Sequence, residues 1–90
     1  MGIPRLRAEI DVVNLELLEL LARRGRLVEQ IALQPKDGGR HDPEREEAQV
    51  RLLLEKNPGP YPDELIAGLF RKIFRASLEL KLSTQRRRTG

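Results

Sequence analysis

The sequence predicts an all-α fold of three helices. Apolar residues step by three and four along almost the whole chain, and no strand-like alternation interrupts them. Two stretches rich in proline and glycine, PKDGGRH at 35–41 and NPGPYP at 57–62, cut that pattern into three. A third observation concerns length: the first helical run is too long for a 90-residue chain to cover alone.

That first run carries Ile3, Leu6, Ile10, Val13, Leu17, Leu20, Leu27 and Ile31 on one stripe, near the coiled-coil period. Pro4 suits a first helical turn, and Pro35 stops the helix after about Gln34. Such a helix is roughly 46 Å long at 1.5 Å per residue. A compact chain of this size is only about 30 Å across. Either the helix overhangs as a coiled coil or a second copy packs along it, and the chain is expected to be a homodimer.

The second helix opens at Asp42, an N-cap, followed by Pro43 and by Glu44, which complements the helix dipole. It runs to about Lys56 with Ala48, Leu52 and Leu53 inward. Asp63 opens the third, whose stripe is Ile66, Leu69, Phe70, Ile73, Ser77 and Leu80, fraying near Ser83. Residues 1–82 are therefore one helical domain, and the basic tail STQRRRTG at 83–90 is expected to be disordered.

Charge and composition narrow the function classes. The formal net charge is +3, but Arg86, Arg87 and Arg88 supply all of it: without them 14 basic residues face 14 acidic ones. A nucleic-acid binder should carry its excess on a folded face with aromatics for stacking, and the aromatics here are Tyr61, Phe70 and Phe74 alone. Nucleic acid is not the expected partner. No run approaches eighteen apolar residues, and the opening MGIPRLRAEI has no apolar signal core, so no membrane partner is expected. There are no cysteines, which points to a reducing, cytoplasmic setting and removes thiolate zinc sites. Neither a metal constellation nor a nucleophile–base pair is visible, and no cofactor is expected.

The polar residues on the wrong faces carry more information. Arg24 interrupts the first stripe where leucine would fit, with Gly25 beside it in mid-helix at about 1 kcal/mol relative to alanine. Asp42, Arg45 and Glu46 stand at i, i+3 and i+4 and project together. Ser77 and Lys81 lie one and two turns beyond Ile73. Singly, each has a plain explanation. Arg24 could snorkel or pair with a glutamate, the Asp42 group could be a cap plus a surface ion pair, and Ser77 could bond back to its helix. His41 reads as a loop histidine. Together, several cations and hydrogen-bonding groups facing one interior describe a small dry cavity for a polyanion.

The runs LRAEIDVVNLELLELLARRGRLVEQI, HDPEREE and GPYPDELIAGLFRKIFRASLEL, in that order, resemble the all-helical chorismate mutase family from Leu6 to about Lys81. The flavour is that of the short mutase domain linked to DAHP synthase, a possible partner. The resemblance implies three helices whose long first helix intertwines with a second copy, and rearrangement of chorismate to prephenate. It also implies that Arg24 binds a substrate carboxylate and that Arg7 reaches across the interface into the partner's site. Arg45 would lie near a carboxylate, Glu46 and Asp42 would hold the ring hydroxyl, and Ser77 would contact a carboxylate. The alternative it leaves is a weakly catalytic domain that binds chorismate or prephenate to regulate an associated DAHP synthase.

This chain departs from the family pattern in two places. Where relatives have a lysine donating to the ether oxygen, strict register puts Pro35, so Gln34 is expected in that place, with Lys36 the weaker stand-in. Where relatives commonly have Gln or Glu on the third helix, this chain has Lys81. The expected arrangement is a swap, with Lys81 supplying the cation and Gln34 the neutral donor.

Overall fold

The computed structural model describes residues 2–35 and 40–89. Helix α1 spans Ile3–Ala32, α2 spans Pro43–Lys56 and α3 spans Asp63–Thr89. Pro4 stands in the first turn of α1, which ends two residues before the expected Gln34, with Leu33 as its C-cap. Lys36 lies outside the described residues.

At α2 the cap is as the sequence pattern demands: Asp42 Oδ1 accepts the Arg45 backbone N–H at 3.1 Å, and Pro43 occupies the first turn. Between α2 and α3, Asn57 ties the turn. Its amide nitrogen donates to the Tyr61 carbonyl at 3.0 Å and to Asp63 Oδ1 at 2.9 Å, while its Oδ1 accepts from the Gly59 N–H. Gly59 sits at φ 74°, a left-handed conformation that glycine adopts without a Cβ penalty.

α3 is the spine. It packs against both α1 and α2, which make no close backbone approach to each other among the described residues. The core is small, built on Val50, Ala67 and Phe74 with Leu53, Leu54 and Phe70 around them. The inward face of α2 is thus Val50, Leu53 and Leu54, an i, i+3, i+4 set. Ala48 and Leu52, expected inward, are exposed. On α3, Phe74 and Ala67 take the buried places and Leu69 faces out.

α1 meets α3 only through its last turns, where Val28 and Ala32 are buried. The stripe from Ile3 to Leu20 lies open, with Ile10, Leu17 and Leu20 each more than half exposed. The radius of gyration is 16.4 Å and the extents are 54 × 28 × 14 Å, so the chain is one helix layer thick. No described helix is long and apolar enough to cross a membrane.

The third helix continues to Thr89, six residues past the fray expected at Ser83, so residues 83–89 of the expected disordered tail are helical. Thr84 is buried. Arg87 reaches Glu29 Oε2 at 3.4 Å and Thr84 Oγ1 at 3.3 Å. Arg88 donates to the Leu33 carbonyl at 2.8 Å, at the negative end of α1. Charges that repel one another in the sequence are held here by a neighbouring helix terminus and a carboxylate.

Candidate active site

The gap left between α1 and α2, backed by α3, forms a cavity of about 320 Å³. That is the lower end of the range for small-molecule sites. From α1 it receives Arg24, Val28 and Ile31; from α3, Phe70, Phe74, Ser77, Leu78 and Lys81. The start of α2 and the two residues before it give His41, Asp42, Arg45, Glu46 and Gln49, and Leu53 joins them from further along the helix. Each helix therefore contributes a cation to a pocket whose lining mixes apolar side chains with acidic and neutral polar ones.

Arg24 is the best-held of these. One guanidinium nitrogen, Nη1, donates to Ser77 Oγ, and Ser77 in turn donates to the Ile73 carbonyl at 2.7 Å. The guanidinium carbon lies 5.4 Å from the centre of the Phe74 ring, within cation–π range. Burial pushes the Arg24 pKa below its ordinary value, the nearby Arg45 cation pushes the same way, and Glu46 partly offsets them. No ion pair to Arg24 occurs among the described residues. A half-buried cation beside a second cation favours an anion from outside.

Asp42 spends one carboxylate oxygen on capping α2, and the cap sets how the first turn enters the cavity. Arg45 and Glu46 then project from that turn. Lys81 stands two helical turns beyond Phe74 on the same α3 face, which the spacing 74, 77, 81 dictates.

Two expected residues are elsewhere. Gln34 does not line the cavity: past the end of α1 its amide turns back to the Gln30 carbonyl at 3.2 Å. Arg7 lies seventeen residues before Arg24, about 25 Å along the helix, exposed and far from this chain's own cavity. Conversely, His41 and Gln49 line the cavity although neither stood out in the sequence. Gln49 follows Arg45 and Glu46 at i+4 and i+3, so the face shared by that pair was the signal for it. Gly25 has no unusually close neighbour within the chain: a Cβ there would meet Leu80 Cδ2 at 3.6 Å, an ordinary contact.

Comparison with known proteins places this arrangement. Residues 6–82 match the family chorismate mutase type II. Among solved structures, chorismate mutase (Form II) from Thermus thermophilus superimposes with a TM-score of 0.82 at 49% identity, over 88% of this chain and 92% of that one. Form I from the same organism gives a TM-score of 0.79 at 50% identity, over 84% and 98%. Two curated relatives are bifunctional chorismate mutase/prephenate dehydratases. That of Neisseria gonorrhoeae is 36% identical over 75 residues, covering 83% of this chain and 21% of its own. That of Pseudomonas aeruginosa is 34% identical over 83 residues, covering 84% and 23%. The chain thus spans about a fifth of the curated relatives it matches. Their second named activity is prephenate dehydratase, whereas the sequence resemblance pointed to a DAHP synthase link. A mutase profile over nearly the whole chain, and a near-complete superposition on two mutase structures, identify it: the chain belongs to the chorismate mutase type II family.

Proposed function

We propose that the chain catalyses the rearrangement of chorismate to prephenate, on the path to phenylalanine and tyrosine. The observation that carries the reading is the convergence of Arg24, Arg45 and Lys81, one from each helix, on a single cavity with Glu46 and Ser77. Within one molecule of substrate, the ether C–O bond breaks as a C–C bond forms. No proton moves and no covalent intermediate is needed. Rate enhancement then comes from two sources, holding the dianion in its folded conformer and stabilising charge on the departing ether oxygen.

Arg24 is poised for a substrate carboxylate, since its planar fork accepts a bidentate partner and its side-chain bond among the described residues is to a neutral hydroxyl. Ser77 holds that fork in place and lies within reach of the same carboxylate. Arg45 takes the second negative end near the mouth, while Glu46 and Asp42 at the start of α2 receive the ring hydroxyl. Lys81 is the cation assigned to the ether oxygen. Gln34, turned away on Gln30, has no place in this scheme.

The working unit is a homodimer. A compact chain of 10.3 kDa would expose about 5,400 Å². This one exposes 7685 Å², and most of its exposed large hydrophobic residues lie on α1. Two stripes packed together would carry Arg7 of each chain toward the other's cavity. A chain without cysteine doing this chemistry fits the cytoplasm.

The test is chorismate disappearance and prephenate appearance with purified protein, beside Arg24→Ala. Turnover that falls about a thousand-fold in the variant, the scale of one lost transition-state donor, is the expected result. Binding without turnover by the wild type would instead identify a regulatory domain for a DAHP synthase.

A further inference from the structure

His41 is not a bystander in the loop. It immediately precedes the Asp42 cap, and Glu46 is the fourth residue of α2. In a capped helix these two positions face each other, which is where a hydrophobic staple usually sits. Here the staple is polar: His41 Nε2 lies 3.2 Å from Glu46 Oε1. A carboxylate only accepts, so the imidazole N–H donates. Both side chains line the cavity, and the contact engages one of the two Glu46 oxygens.

We propose that His41 is a positioning residue, holding Glu46 through Oε1 so that Oε2 is free to receive the substrate's ring hydroxyl. The inference rests on the mutase reading above. Unheld, a glutamate in a first helical turn has several rotamers, and it is drawn toward the Arg24 cation that already senses it. The pair is also half exposed, at 47% for His41 and 35% for Glu46, so its effect is modest and falls on binding rather than on the reacting atoms.

The experiment is steady-state kinetics on chorismate for wild type, His41→Ala, His41→Gln, Glu46→Ala and the double variant. We expect His41→Ala to raise KM about five-fold with kcat near wild type, an interaction removed equally from ground and transition states. His41→Gln, which keeps a donor of similar reach, should restore most of the loss. In the Glu46→Ala background, His41→Ala should cost nothing, because its only route is through Glu46. An unchanged melting temperature is expected for every His41 variant, since the residue is exposed. Equal losses in both backgrounds, or no loss in the first, would overturn the role of His41 while leaving the mutase reading intact. Wild-type protein that does not turn over chorismate would overturn both.

Discussion

Arg24 has a cation–π face, a serine and, among the described residues, no carboxylate in ion-pair contact, which is a costly resting place for a charge. Its replacement should therefore separate stability from activity. Arg24→Met removes the carboxylate clamp and is expected to abolish measurable turnover. Its melting temperature should nonetheless stay at or above that of the wild type, by thermal denaturation, because a half-buried charge has been exchanged for an apolar chain of similar length. Lys81→Gln is expected to lose two to three orders of magnitude in kcat, the cost of one donor to a developing oxyanion. A near-normal enzyme would remove Lys81 from the mechanism. Arg24, Asp42, Arg45, Glu46, Ser77 and Lys81 were all visible in the sequence as polar residues at helical spacing on a face that should be apolar. His41 was not, because its direction comes from the turn geometry at the Asp42 cap and no periodicity reaches into a loop. Gln34 is a related case. Register along the chain located it, but α1 stops at Ala32 and the following backbone turns the side chain onto Gln30.

The helices themselves were legible to within a turn, except at the far end of α3. Three consecutive arginines after a polar run look like a frayed tail, since they offer no apolar stripe for a helix to bury. What keeps them helical is tertiary: Thr84 is buried, Arg87 meets Glu29, and Arg88 caps the C-terminus of α1 at Leu33. Deleting residues 84–90 is expected to cost about 1–2 kcal/mol, a fall of several degrees in Tm for a chain this size. An unaltered Tm would mean that those contacts hold nothing. Within α1, the ordinary 3.6 Å contact of a Cβ at Gly25 with Leu80 leaves room for alanine. Gly25→Ala should raise Tm by a few degrees through helix propensity, roughly 1 kcal/mol. A drop would locate a partner's backbone against that turn.

At the scale of the molecule, a single layer 14 Å thick leaves a leucine stripe uncovered, and the proposed homodimer rests on that stripe. Sedimentation should give twice the chain mass, and Leu17→Glu, placed on that stripe, should lower dimerisation and turnover together. Mixed dimers test the sharing of sites more sharply. Arg7→Ala and Arg24→Ala should each be inactive, yet a mixture allowed to exchange subunits should regain activity. Random assortment makes half the dimers mixed, each with one intact site, for about a quarter of wild-type activity. Failure to recover any would confine each site to one chain.

The absence of close approach between α1 and α2 has a further consequence. Among the described residues the jaws of the pocket share no close backbone seam of their own, so their packing on α3 helps set how far apart they stand. Altering bulk at Phe70 would re-gauge the opening without touching a single charge, whereas a change at Phe74 would also disturb its contact with the Arg24 cation. Evolution, or an engineer, could fit a larger or smaller dianion by adjusting that one backbone support.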